Sequence, residues 1–387
     1  MSDDRAYDLV LLGATGFTGQ LVATHLAGRT EGVRWAIAGR DRDRLEEVAA
    51  TVASGTGHTR PDVEVVDVTD LVGLLDLTAR TRVLATTVGP YAELGELVAQ
   101  ACVRSGTHYA DITGEPGFVS LLRRRYDGDA IRSGVKVVTC CGFDSVPHDL
   151  GVRFTVDHLP DDVPLTVRGY VSGQMRPSGG TAHSALAAIG ARALPRADRD
   201  ARPDARVQRR VAPLPARIHR VPELGGWGVP MPTIDPVIVL RSARVLEGYG
   251  TAFRYGHFVR VPHLPAVVGG VAAVGSAAAL ASFGPTRGLL ERVVPARGEG
   301  PDEATRQRSS FSVTFLGRGG DTSVTTRVSG GDPGYDETAR MLGEAALSLA
   351  LDDGPEEAGV LTPAVGLGRP YLARLMAHGP RFEVVTR

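Results

Sequence analysis

The chain has 387 residues, 43% of them apolar, and a formal net charge of −1. That is enough for two domains with buried cores, and the near-neutral balance excludes the basic field of a nucleic-acid binder. The three cysteines, Cys102, Cys140 and Cys141, fit no zinc or disulfide spacing, and the start Met-Ser-Asp-Asp-Arg has no basic region followed by an apolar run. A cytoplasmic protein is therefore expected.

The first 145 residues alternate between strand and helix patterns. Strands read at Asp8–Leu12, Arg34–Ala38, Val63–Val66, Val83–Thr87, His108–Ala110 and Val135–Thr139. Helices read near 18–29, 42–52, 71–80, 95–105 and 117–126. This alternation predicts an α/β fold with an N-terminal Rossmann-type doubly wound parallel sheet. Ligands of such sheets bind beyond the carboxyl ends of the strands. The chemistry-bearing residues are therefore sought there.

The first strand runs into Gly13-Ala14-Thr15-Gly16-Phe17-Thr18-Gly19, and a helix follows. Gly13 permits the sharp turn, Gly16 removes a side chain where a pyrophosphate approaches, and Gly19 lets the helix pack on the strand. The anion would sit on the unpaired N–H groups of that helix start. After the second strand, Arg40 suits a 2′-phosphate and favours NADP over NAD, while the neighbouring Asp41 suits a free ribose hydroxyl. Asp67, after the third strand, either touches the adenine side or caps a helix.

After the fourth strand, Thr87-Val88-Gly89-Pro90-Tyr91 turns where the nicotinamide end should lie. Tyr91 could cover the ring, donate a proton or simply pack. The segments after the fifth and sixth strands bring Asp111, Glu115, Asp144 and His148 towards one cleft, where any could act as acid or base. Ser145 and Pro147 also read as a helix start, with Asp144 and Ser145 as its caps. Lys136 is the only lysine and lies in a strand pattern. That excludes the Tyr-x-x-x-Lys pair of classical short-chain dehydrogenases and argues against lysine-based catalysis.

These segments resemble the saccharopine-dehydrogenase-like oxidoreductases, and most closely their actinobacterial trans-acting enoyl reductase branch. The matching stretches are Gly-Ala-Thr-Gly-Phe-Thr-Gly at 13–19, Ala-Gly-Arg at 38–40, Val-Gly-Pro-Tyr at 88–91 and Tyr-Ala-Asp-Ile-Thr-Gly-Glu at 109–115. Gly-Phe-Asp-Ser-Val-Pro-His-Asp-Leu-Gly at 142–151, Gly-Val-Leu-Thr-Pro-Ala at 359–364 and the helix around Glu344 continue the match, while 190–300 carries no shared motif. The resemblance implies NADP-linked reduction and leaves the substrate open.

The second half changes character. Leu165–Ser172, Gly248–Val261, Ser310–Leu316 and Thr322–Ser329 read as strands, with Gly317 to Asp321 as a glycine-rich hairpin loop and Gly179–Ala193 as a small-residue helix. Tyr335–Leu351 returns to a helix. The expected organisation is a dinucleotide-binding domain at 1–150, an inserted α+β substrate and dimerisation domain at 151–330, and C-terminal helices at 331–387 that, by resemblance, pack back on the first domain. Ala191 to Arg220 holds nine arginines. It reads as a solvated loop or as a docking surface for an acidic acyl-carrier partner or a phosphate-bearing thioester arm, and a polyketide synthase stays open as a partner of the protein. Val261 to Thr286 has no Asp, Glu, Lys or Arg. A buried or dimer-interface helix, a peripheral membrane contact and a span all stay open there.

The resulting expectation is an NADPH-dependent reductase of an enoyl thioester, free or carrier-bound, in lipid or polyketide synthesis. Tyr91, His148 and Asp144 are its catalytic candidates, with Tyr91 or His148 expected as the donor to the thioester oxygen or as the proton source for the α-carbon. Gly13 to Gly19, Arg40, Asp67 and Thr87 to Pro90 are its cofactor-binding candidates. A homodimer is expected, and no metal. The alternatives are an imine or ketone reductase of amino-acid-like metabolites and a non-catalytic NADP-binding scaffold.

Overall fold

The computed structural model describes residues 5–30, 32–55, 58–174, 207–231, 233–263, 265 and 300–386. The helix expected at 179–193, the arginines from 191 to 206 and nearly all of the uncharged stretch 261–286 lie outside them. Among the described residues no helix is long and apolar enough to cross a membrane.

The first layer is built from β1 (Tyr7–Leu12), β2 (Trp35–Gly39), β3 (Asp62–Val65), β4 (Thr81–Thr86), β5 (His108–Asp111) and β6 (Lys136–Val138). Helices α1 (Phe17–Ala27), α2 (Arg42–Ala53), α3 (Leu71–Ala79), α4 (Tyr91–Ser105) and α5 (Pro116–Arg132) connect them. The strand order is 3-2-1-4-5-6, with a late strand, β14 (Gly359–Leu361), added beside β6, and every pairing is parallel. The central strands are short apolar runs because both faces are covered. Leu9 and Leu11 point to one face and Val10 and Leu12 to the other, all four fully buried.

After β6, α6 (Val146–Val156) carries the chain to a second, mixed sheet. It contains β7 (Leu165–Gln174), β8 (Arg210–Pro213), β9 (His219–Arg220), β10 (Trp227–Pro230), β11 (Ala252–Val261), β12 (Ser310–Gly319), β13 (Thr322–Gly330) and β15 (Arg381–Thr386). Helices α7 (Asp235–Val245) and α8 (Glu303–Arg308) accompany it. The hairpin loop is tighter than its glycines suggest. Gly317 and Gly319 are strand residues, placed where a Cβ would meet Thr155 Cγ2 at 2.7 Å and Leu165 Cδ2 at 2.4 Å. Only Gly320 and Asp321 make the turn.

The tail serves both layers. Helix α9 (Asp336–Leu351) lies on α1 and strands β1, β4 and β5. After β14 come α10 (Pro363–Gly366) and α11 (Gly368–His378), and then β15 pairs with β13 in the second sheet. One apolar core therefore runs from Leu9, Leu11 and Val83 through Leu342 and Leu347 to Val313, Phe315 and Phe253.

Candidate active site

The carboxyl edge of the first sheet gathers nearly all of the expected residues, because parallel strands end on the same side. At the switch between β1 and β4 the two loops are tied together. Gly13 N donates to Ala38 O at 2.8 Å and Thr87 N to Leu12 O at 3.0 Å, and Thr87 Oγ1 donates to Gly13 O at 3.1 Å. The three glycines differ in environment. Gly13 has φ +93°, and a Cβ there would lie 2.7 Å from Val88 Cγ2. A Cβ on Gly19 would lie 2.1 Å from Gly13 O, so the helix meets the strand through bare backbone. At Gly16 a Cβ would meet nothing nearer than Gly13 O at 3.5 Å. Its open side faces space, which is what an approaching pyrophosphate needs.

Helix α1 starts at Phe17 with Gly16 as N-cap and no side-chain cap. Gln20 donates to Gly16 O, so the amides of Phe17, Thr18 and Gly19 precede the helical ladder and are the natural anion donors. Ala14 is fully buried, and the Thr15 carbonyl accepts from Gln20 Nε2. The Phe17 ring packs edge-on against Tyr335 at 5.0 Å, with the Arg306 guanidinium 5.3 Å from its centre. The phosphate loop is thus braced by the tail and by α8.

Arg40, just beyond β2, is exposed and makes no hydrogen bond or ion pair among the described residues. Asp41 caps α2 by accepting from Arg44 N at 3.1 Å. Asp67 folds on itself, its Oδ1 accepting from Thr69 N and Oγ1, and these bonds together with the nearby Arg40 charge hold its pKa low. An unspent guanidinium in this place, with the neighbouring carboxylate already used, fits a 2′-phosphate.

The acid candidates separate by what they touch. The Tyr91 ring is buried against Phe118, and its hydroxyl donates to Thr86 O at 3.0 Å and accepts from Ile112 N at 3.4 Å. Glu115 accepts from Tyr91 N and Ala92 N at 3.0 and 2.9 Å, capping α4. Asp111 is fully buried and receives Cys140 N, Thr113 N and the Tyr109 hydroxyl. It anchors the turn after β6, where Cys140 takes φ +65°. Burial pushes its carboxyl up to about 6. These three groups are committed within the protein.

Asp144 is different. Its side chain caps nothing, since α6 starts at Val146 with a proline in its first turn and no side-chain cap. Its carboxylate lies over the Gly114 backbone, where a Cβ would come within 2.8 Å of Oδ2. It is half-buried, and burial pushes its carboxyl up to about 6. That is a group able to hold or release a proton near neutrality.

His148, one turn along α6, is only 2% exposed. It faces Asp235 at the start of α7 and His257 in β11. Its Nε2 is 3.3 Å from Asp235 Oδ1, and the two imidazoles meet edge to face at 4.6 Å. Burial, and then His257, hold its pKa well below the ordinary histidine value. Neither Asp235 nor His257 is visible in the sequence as part of a site. They lie 87 and 109 residues beyond His148 in segments without a motif, and only the second sheet brings them in.

The Saccharopine dehydrogenase NADP binding domain family matches residues 9–136. A Mycobacterium tuberculosis protein provisionally named a trans-acting enoyl reductase is 37% identical, over 97% of this chain and 96% of its own. Trans-acting enoyl reductases of Mycobacterium bovis (97% of both chains) and Mycobacterium ulcerans (98% of this chain, 97% of that one) are each 33% identical. Saccharopine dehydrogenase (L-Glu forming) of Saccharomyces cerevisiae has the same overall fold, with a TM-score of 0.56 at 14% identity, covering 98% of this chain and 99% of that one. The glycine loop, the free guanidinium beyond β2 and similarity along the whole chain agree: the protein is an NADP-binding oxidoreductase of the trans-acting enoyl reductase family, built on the saccharopine dehydrogenase fold.

Proposed function

We propose that the protein reduces the carbon–carbon double bond of an enoyl thioester at the expense of NADPH, with Asp144 as proton donor. The full-length similarity to trans-acting enoyl reductases carries the reaction class. Asp144 supports it as the acid at the cleft whose carboxylate is not spent on the fold. When bound, NADPH supplies a hydride. The chain's own part is to hold the pyrophosphate on the amides of 17–19, the 2′-phosphate on Arg40, and the nicotinamide end beside Thr87, Val88, Gly89 and Pro90. As a hydride adds at the β-carbon, negative charge builds toward the thioester oxygen. A proton from the Asp144 carboxyl then completes the α-carbon, and solvent restores it.

Tyr91 and His148 are weaker donors on this reading, because the Tyr91 hydroxyl already donates to Thr86 O and burial holds the His148 pKa well below the ordinary histidine value. Asp144→Asn tests the assignment. Wild-type kcat/KM should fall as pH rises through about 6, because the proton-bearing form is lost. The variant should lose that limb and about 10²–10⁴-fold in kcat, with NADPH affinity kept. An unchanged pH profile would remove Asp144 from the chemistry.

The substrate fits a carrier-borne acyl chain of lipid or polyketide synthesis, acted on in the cytoplasm by a homodimer. The arginine density of 191–220 suits an acidic carrier. Replacing Arg192, Arg196, Arg199 and Arg202 with serine should raise KM for carrier-bound substrate and leave a small thioester unaffected. Equal effects on both would discard the docking role.

A further inference from the structure

We propose that His148, Asp235 and His257 form a binding site for a divalent transition-metal ion of the zinc class, clipping α6 and α7 to the second sheet. The three side chains come from separate segments, and their ligand atoms all lie within 4.8 Å of one another. Asp235 turns Oδ1 to His148 Nε2 at 3.3 Å and Oδ2 to His257 Nε2 at 3.7 Å. Two ligands each about 2.1 Å from a tetrahedral ion lie about 3.4 Å apart, so the spacing suits a shared cation.

Hydrogen bonding does not account for this arrangement. Asp235 Oδ1 and His257 Nε2, two of the facing atoms, are buried without a hydrogen-bond partner, and Asp235, His257 and His148 are 2%, 5% and 2% exposed. Lone pairs facing one another in a dry interior repel, and a buried polar atom without a partner costs free energy. A cation among them reverses both effects. The perpendicular rings direct their nitrogens inward instead of stacking. The Tyr255 hydroxyl lies 3.2 Å from His257 Nδ1. When that nitrogen carries the proton, Nε2 keeps its lone pair for the ion, which is the usual orienting role of a second hydrogen bond on a ligating histidine. Two imidazoles and one carboxylate are a borderline donor set that prefers zinc, iron or manganese to calcium or magnesium. Burial also keeps each histidine neutral, as ligation requires.

The test uses the untagged full-length protein, stripped with a chelator and titrated with Co²⁺ and Zn²⁺. Wild type should bind about one ion per chain and develop the visible bands of low-coordinate cobalt. Its Tm should rise on loading and fall again with chelator. His257→Gln and Asp235→Asn should bind at least about tenfold more weakly, a loss characteristic of ligand removal. Far-UV circular dichroism and NADPH affinity serve as the check that they fold. Should either variant misfold, X-ray absorption of the zinc-loaded wild type decides: two imidazoles and a carboxylate in the shell support the site. Stoichiometric uptake absent from wild type, uptake equal in the folded variants, or a shell without imidazole would overturn it. NADPH binding by wild type is read in the same samples, so failure of the metal site stays distinct from failure of the reductase assignment.

Discussion

At Gly16 a methyl group would meet only Gly13 O at ordinary contact distance, while at Gly19 it would sit inside the covalent neighbourhood of the Gly13 carbonyl. The same three-glycine pattern therefore holds one position that the fold leaves open and two that the fold fixes. Gly16→Ala should leave the urea midpoint nearly unchanged and weaken NADPH binding by about tenfold or more, or about 1.4 kcal/mol. Gly19→Ala should instead lower the unfolding free energy by several kcal/mol, through overpacking and strain. Calorimetric titration and urea unfolding of both variants check the contrast; equal losses of affinity at equal stability would contradict it. Asp111 makes a second residue-scale case. Burial raises its folded pKa from the ordinary aspartate value, about 3.9, to about 6. The stability it contributes is present in full below the unfolded value and lost as pH rises through about 6. The loss amounts to about 3 kcal/mol. Asp111→Asn keeps acceptors for Cys140 N and Thr113 N, so its unfolding free energy should decline less between pH 4 and 7 than that of wild type, when both are followed by urea titration across that range.

Among the elements, the α1–α9 contact links the cofactor loop to the tail. Gly343 gives His25 room to approach, since a Cβ there would lie 2.6 Å from its ring. Glu344, with a side chain wholly out of solvent, meets His25 Nε2 at 2.9 Å, Arg29 at 3.6 Å and Arg374 at 3.4 Å. Burial pushes its carboxyl up, but the hydrogen bond to His25 and these cations outweigh that and hold it below the usual range. Glu344→Ala removes the buried carboxylate from His25, Arg29 and Arg374, the last of which keeps its two bonds to Asp352, and should cost about 1.5–3 kcal/mol in unfolding free energy. A change under about 1 kcal/mol, the size of an exposed pair, would contradict the contact. The elements also show what the sequence makes legible. The first sheet is readable because buried parallel strands are apolar runs and its turns are marked by glycine. Strand β5 reads one residue short because aspartate disfavours strands, yet Asp111 is held there by two backbone amides and a tyrosine hydroxyl. Strand β11 starts later than its pattern suggests because Gly248 and Gly250 take φ +82° and +72°. The three-residue β14 and the two-residue β9 carry too little pattern to be read at all.

For the whole molecule, the tail sends β14 to the first sheet and β15 to the second, so the two layers share one core and are bound together by the C-terminal segment. Local signals place the nucleotide loop, Arg40 and Asp144 in the sequence. They cannot place Asp235 or His257 beside His148, because that meeting depends on how the second sheet docks on α6. The reaction class, in turn, rests on similarity along the whole chain rather than on any one motif. The most direct measurement supplies purified protein with NADPH deuterated at the transferable position and a short 2-enoyl thioester, and locates the label in the product by mass spectrometry. The account predicts one deuterium at the β-carbon, a solvent-derived hydrogen at the α-carbon, and much slower turnover with NADH. Tight NADPH binding with no enoyl reduction, alongside turnover of an oxo acid with an amine, would contradict it.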